Sequence, residues 1–241
     1  MRRAFLIELA VFRDYGKQLV GLGLLVAILV GFGMQTVIAA PAILTVMFFM
    51  MGAMGAAAYD EQNGWGRFRL AMPLSRRDVV IGRYAAIATL GLGGMIVGLA
   101  AAFLVGGLAS ANVFPGELSD ELALDSGLVH GMAFATAFCL LIGATVVAVI
   151  TPIYFKLGQT KATQILPTVI VLLFVLPVVF LANSGLLDGG VPGLGIVVSL
   201  LAFLDAPFGM AIGCAALVVL STVILGISAA ISLKLYESRE V

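Results

Sequence analysis

The chain has 241 residues, with thirteen Lys and Arg balanced by thirteen Asp and Glu, one His, and 62% hydrophobic residues. Only 11% of residues are charged and the mean hydropathy is +1.17, whereas a soluble domain carries about a quarter of its residues charged. That composition excludes an ordinary soluble enzyme and gives no support to a nucleic-acid partner; it fits an all-α polytopic membrane protein, counted in apolar spans of about 20 residues.

The first element is an amphipathic helix over residues 2–17. At about 100° per residue, Arg2, Arg3, Arg13, Asp14 and Lys17 fall on one side and Phe5, Leu9, Phe12 and Tyr15 on the other, so the segment is expected to lie along a membrane surface. Glu8 projects from the apolar side. It has two readings: a carboxylate reaching a neighbouring Arg or the headgroup layer, or a buried pair that locks this helix to a cytoplasmic loop. Glu8, Arg13 and Asp14 interrupt the apolar run before any cleavage pattern, so no removable signal peptide is expected.

From Leu19 to Ala58 no residue is charged, room for two spans with a turn marked by "GFGMQT" and Pro41. Further spans are predicted at Ala85 to Leu108, Leu128 to Ile150, Ile165 to Leu181 and Phe208 to Leu233, six in all. The apolar stretch Gly193 to Leu204 is about half a span, so residues 185–207 are predicted as a short external re-entrant or interfacial hairpin between spans five and six. Pro167 and Pro177 favour kinks in the fifth span. Cys139 and Cys214 both fall inside apolar segments, suggesting neither a disulfide nor a metal site.

With six spans, every Lys and Arg lies in the N-terminal segment, the 60–83 loop, the Tyr154 to Gln164 loop or the C-terminal tail, while the opposite loops carry Glu117, Asp120, Glu121, Asp125, Asp188 and Asp205. The net neutrality is therefore two opposed layers, and the bias of basic residues toward the cytoplasm places both termini inside. Five of the thirteen basic residues gather in the 60–83 loop, beside the only Trp. Within it "SRRD" pairs Ser75 with Asp78 three residues on, a helix-starting capping box with Asp in place of Glu. Trp and Arg at such a boundary are also common as plain membrane anchors.

Two stretches carry a family resemblance. "AMPLSRRDVVIGRY" looks like the "LP-(I/L)-S-R" motif that leads into the third span of bacterial type-2 ATP-binding-cassette exporter permeases, and "TPIYFKLGQTKATQ", after the fourth span, is similar to that family's "P-(L/I)-x-F-K-x-G-x-x-K". Both stand in the expected topological order, and the chain resembles most the small six-span permeases linked with peptide and antibiotic export. The resemblance implies a single transmembrane domain over residues 1–241 in a bacterial plasma membrane. It also implies a second permease copy or homologous permease, and a separate cytoplasmic ATPase that holds ATP and Mg. This chain has no phosphate-binding G-x-x-x-x-G-K-[ST] loop and binds no cofactor of its own. Carried over, residues 64–71 form a coupling helix docking on that ATPase, with Trp65 and Phe68 as apolar anchors, Arg67 and Arg69 as charged contacts, and Glu61 and Arg76 transmitting the stroke.

No span has a charged residue near its middle, which disfavours an ion- or proton-coupled carrier. The polar candidates for a substrate path are Gln35, His130, Thr145 and Asn183; His130 has no carboxylate beside it in sequence and is expected as an interfacial residue. Small-residue runs, "MGAMGAAA", "GLGGMIVG" and "GMAIG", permit close helix approach within one bundle or across a dimer. The absence of fixed charge along the spans points to a hydrophobic or amphipathic substrate, embedded in membrane lipid, and the external acids could draw a cationic product outward. Tyr59-Asp60 is similar to one half of an aspartyl intramembrane protease site, but "G-x-G-D" is missing, as are zinc and serine-nucleophile motifs, so the chain is expected not to be an enzyme. A membrane scaffold or ion-channel subunit is the rival class.

Overall fold

The computed structural model describes residues 2–62, 75–114, 117–158 and 206–237, together with the isolated positions Gln164, Thr168, Leu172, Leu176 and Val179. These form six helices: α1 (Arg2–Gly33), α2 (Ala39–Gln62), α3 (Arg76–Ser110), the short α4 (Glu117–Leu122), α5 (Ser126–Leu157) and α6 (Pro207–Glu237). All but α4 are long and apolar enough to cross a membrane, and no strand occurs among the described residues. The chain is a multi-pass membrane protein. The hairpin expected at 185–207 and nearly all of the fifth span lie outside the described residues.

The course of each helix follows from its contacts. Ala4 meets Gly82 and Gly16 meets Leu90, so α1 and α3 run parallel, while Pro41 meets Gly98 and Tyr15 meets Gly55, so α2 runs against both. Ser228 of α6 bonds Ala148 of α5 and the Phe155 ring meets the Tyr236 ring, so these two run side by side in the same direction. Gly158, after α5, and Pro207, opening α6, therefore lie at opposite ends of the bundle. One end gathers the start of α1, the start of α3 and the last turns of α5 and α6, and with them Arg3, Arg76, Arg77, Arg83, Lys156 and Lys234, while Arg13 and Lys17 stand further along α1, Lys17 at its midpoint. It is called the basic end below. The opposite end carries Asp120, Glu121 and Asp125.

Three elements differ from expectation. Residues 2–17 are not a separate helix; they are the first turns of a continuous α1, about 48 Å long at 1.5 Å per residue, well beyond a hydrocarbon core of about 30 Å. Only Gly16 stands at the predicted boundary, with no Pro to break the helix, and the apolar face does not need a membrane surface because Phe12 packs with Ala56 and Ala86 of α2 and α3. The 60–83 loop is shorter than drawn, since α2 runs to Gln62 and α3 begins at Arg76. Ser75 caps α3 as predicted, its Oγ accepting from the Asp78 N–H at 3.1 Å. Finally, α5 continues through Pro152 to Leu157, where Gly158 ends it at φ 82°.

Helix α4 was not anticipated. Leu122 is fully buried with Val37, Ala102, Ala109 and Met132, and Ser119 Oγ donates to the Ala109 carbonyl at 2.7 Å, so the acidic loop folds back onto the bundle.

Helices α2 and α3 share the tightest seam. A Cβ on Gly98 would stand 2.5 Å from Pro41 Cα, one on Gly94 2.5 Å from Phe48 Cγ, and one on Gly91 inside the Phe49 ring. The glycines of "GLGGMIVG" at these positions thus serve packing within one chain, as do Gly52 and Gly55 of "MGAMGAAA", which meet Leu90 and Tyr15.

Candidate functional site

Among the described residues, the buried charges Glu8 and Arg83 lie toward the basic end. Arg83 sits two turns into α3, on the same face as Arg76 at i, i+7. Its guanidinium is buried to 4% exposure, and Glu8 of α1 to 3%. Arg83 Nη2 donates to Glu8 Oε1 at 3.3 Å, and Nη1 pairs with Asp60 Oδ2 of α2 at 2.8 Å. One guanidinium thus ties the first three helices. Of the two readings of Glu8, the buried pair is the one found, although its partner opens α3 rather than sitting in a free loop. Arg suits this position because its planar fork can serve two carboxylates at once.

The same face of α3 reaches α5 and α6. Arg83 lies 5.6 Å from the centre of the Phe155 ring, the Phe155 and Tyr236 ring centres are 5.3 Å apart with the rings tilted at 58°, and Arg76 is 5.8 Å from the centre of the Tyr236 ring. Such cation–π contacts contribute about 0.5 to 2 kcal/mol each, more as they are desolvated. Arg76 Nη1 also donates to the Tyr236 backbone carbonyl at 3.1 Å, in the last turn of α6, where helix carbonyls have no partner of their own.

Beside this charged junction runs a chain of hydroxyls. Pro152 has no N–H to give to the Ala148 carbonyl four residues earlier. Ser228 Oγ of α6 donates to that carbonyl instead, at 2.6 Å. With the Ser228 proton used there, Tyr84 OH donates to Ser228 Oγ at 2.7 Å and accepts from Ser232 Oγ at 2.8 Å. The result is a directed line from α6 through α3 and back to the α5 backbone. Satisfying a carbonyl freed by Pro with a neighbouring hydroxyl is how membrane helices keep such a residue.

The candidates from sequence fall into two groups. Around the coupling segment, Arg76 takes part in the junction, Asp60 is held by Arg83, and Glu61 has a described backbone in the last turn of α2. Trp65, Arg67, Phe68 and Arg69 lie outside the described residues, in the segment that joins α2 to α3 directly at this junction. The substrate-path candidates are not brought together. Gln35 is exposed in the turn after α1, at φ 52°. His130 is exposed near the start of α5. Thr145 lies about 22 Å further along that helix, its hydroxyl bonded to the Leu141 carbonyl. Asn183 lies outside the described residues.

Tyr84, Phe155, Ser228, Ser232 and Tyr236 were missed. The available signal was Pro152 inside an apolar run, which leaves an orphan carbonyl at 148 and calls for a hydroxyl on a neighbouring helix; Ser228 and Ser232, at i, i+4, could supply it. No group of His, Cys, Asp and Glu that could hold a metal ion occurs among the described residues.

The family model described as ABC-2 family transporter protein matches residues 8–237. Comparison with curated proteins gives no match.

Proposed function

The chain belongs to the ABC-2 family of transporter proteins, a membrane subunit without a nucleotide-binding domain, and from that premise we propose that it is the six-span permease of an ATP-driven exporter. A separate ATPase, carrying ATP and Mg, docks on residues 64–71 from the cytoplasm of a bacterial cell, and both chain termini face the same side. Two permease halves, identical or homologous, complete the transporter.

The observation that carries this reading is the junction itself. The segment that bears Trp65, Arg67, Phe68 and Arg69 leaves α2 two residues after Asp60 and enters α3 one residue before Arg76. Whatever moves this segment pulls on Asp60–Arg83–Glu8 and on the Arg76–Tyr236 contact at once, so a push delivered there is shared among α1, α2, α3, α5 and α6. Polar cross-links of this kind transmit displacement without slip, because each has one geometry. The substrate is hydrophobic or amphipathic, a peptide or antibiotic-like molecule. Support comes from the described spans, whose buried charges Glu8 and Arg83 and partly buried Asp60 sit at one end, both carboxylates paired with Arg83.

The test is co-purification of the full chain with candidate ATPase chains, comparing the native sequence with Trp65→Ala and Arg67→Glu. Apolar anchors and register-setting charges at an interface lose about tenfold or more in affinity when removed, and ATPase stimulation by amphipathic peptides is expected to fall with assembly. Equal binding by all three chains would place the docking surface elsewhere.

A further inference from the structure

Between α3, α5 and α6, in the half of the bundle away from the basic end, lies a cavity of about 390 Å³. Along α5 its lining runs from Val129 to Leu140, about 16 Å at 1.5 Å per residue, half the thickness of a hydrocarbon core of about 30 Å. This elongated space, open on one side, has room for one hydrocarbon chain laid along α5. The lining offers nothing polar to a ligand except the Cys214 thiol; Thr136, the sole hydroxyl, is bonded to the Met132 carbonyl at 2.6 Å. Met95 and Met132 supply flexible walls that can follow a chain's bends, and at the rim Phe103 and Val218 are about half exposed, leaving a lateral way in.

The surroundings of the cavity discriminate between head groups. Leu122 of α4 belongs to the same buried cluster as Met132, a lining residue, and Asp125, which caps α5, stands one turn before Val129 at this end of the lining; Asp120, Glu121 and Asp125 are all exposed. An anionic head would meet like charges there, and a cationic one would be attracted. We propose that this cavity is a subsite for the alkyl chain of a cationic amphiphile, with its head group at the acidic segment. That the amphiphile is cargo rests on the exporter function above; the site itself rests on the cavity and its charged mouth.

The cysteines supply the assay, since Cys214 lines the cavity and Cys139 does not. The full-length Cys139→Ala chain, reconstituted in phosphatidylcholine nanodiscs, is labelled at Cys214 with N-ethylmaleimide while dodecylammonium, dodecanoate or butylammonium is present. Dodecylammonium at ten times its dissociation constant is expected to slow labelling by about tenfold, with little effect from the other two. Asp120→Asn, Glu121→Gln and Asp125→Asn together are expected to erase the preference over dodecanoate; Asn still caps α5, so the fold is retained. In parallel, dodecylammonium with a terminal diazirine is expected to crosslink to residues 129–140, and Ala133→Phe, which fills the cavity, to abolish this. Equal protection by dodecanoate, or crosslinks spread over the lipid-facing residues of α1 and α6 and indifferent to Ala133→Phe, would overturn the proposal, the first by removing the charge selection and the second by leaving only bilayer contact. Cys214 labelling that stays slow whatever is added reflects a thiol kept protonated by its apolar site; the crosslinking then decides, and no capture at residues 129–140 overturns the proposal. Cys214 protection without any ATPase assembly would leave the subsite standing and remove the exporter reading.

Discussion

The two ends of α3 hold their neighbours by opposite means. At the basic end its first turns are fixed by charge and hydroxyl contacts of single geometry: Arg83 between Glu8 and Asp60, Tyr84 between Ser228 and Ser232, Arg76 on Tyr236. Further along, the same helix lays Gly91, Gly94 and Gly98 against α2 and turns Met95, Leu99 and Phe103 toward an open apolar space. Directional contacts resist sliding and pass a push on, whereas apolar surfaces tolerate repacking at modest cost. A transporter needs both on one lever: a stiff grip where work enters and a compliant wall where cargo passes.

The largest expected effect breaks the grip. Arg83→Met removes the guanidinium and leaves the buried Glu8 carboxylate without this partner, and losing one member of a buried pair costs about 3 to 5 kcal/mol. Thermal unfolding of the purified chain in detergent should show this as a substantial loss. Glu8→Gln keeps a hydrogen-bond acceptor for Arg83 and should lose clearly less. If Arg83→Met and Glu8→Gln melted together at the native temperature, the junction would not be what joins the first three helices.

Next comes the glycine seam, which tests whether the far half is held by shape alone. Gly98→Leu drives a side chain into the Pro41 backbone, and overpacking of this kind costs about 1 to 3 kcal/mol or more. Gly93, on the same helix, has nothing within 4 Å of its would-be Cβ. Gly93→Ala should therefore be neutral or stabilising by up to about 1 kcal/mol, the helix-propensity gain. The pair should separate cleanly in one melting experiment; equal behaviour would mean that α2 and α3 are further apart.

The hydroxyl line offers a sharper test than either single change. Ser228→Ala orphans the Ala148 carbonyl and should cost about 1 to 2 kcal/mol. Pro152→Ala restores an N–H at the proper place in α5, so Ser228→Ala made in that background should cost markedly less. The difference between the two costs measures the coupling directly. Additive effects would mean that Ser228 serves Tyr84 and not the carbonyl freed by Pro152.

How much of this could be seen beforehand depends on how local each cause is. The Ser75 cap and the turn at "GFGMQT" are fixed by neighbours in sequence, and they are found where the sequence places them. Glu8 on an apolar face left two readings open, and its partner Arg83 is 75 positions away along the chain, where no spacing rule connects them. The extent of α1 was misjudged because surface amphipathicity and burial against a neighbouring helix write the same pattern of Phe5, Leu9 and Phe12. Pro152 was passed over because a proline is usually taken to end a helix; only the pairing with Ser228 shows why this helix continues. The substrate-path residues were chosen for polarity alone, and polarity within apolar helices is often spent internally, as at Thr145.

The smallest expected effect closes the comparison from within α1. Asp14 and Lys17 form an ion pair at 3.1 Å, close in length to the Glu8–Arg83 contact, but their side chains are 88% and 68% exposed. An exposed pair three residues apart on a helix contributes about 0.2 to 0.5 kcal/mol and is screened by salt. Asp14→Asn should therefore shift the melting temperature barely, and raising the salt concentration should erase even that. The Glu8→Gln loss should persist at the same ionic strength, because buried pairs are screened much less. Two contacts of similar length on one helix would then differ in salt response because of burial alone, so a salt-sensitive Glu8→Gln effect would show that water reaches the junction and that its grip is not dry.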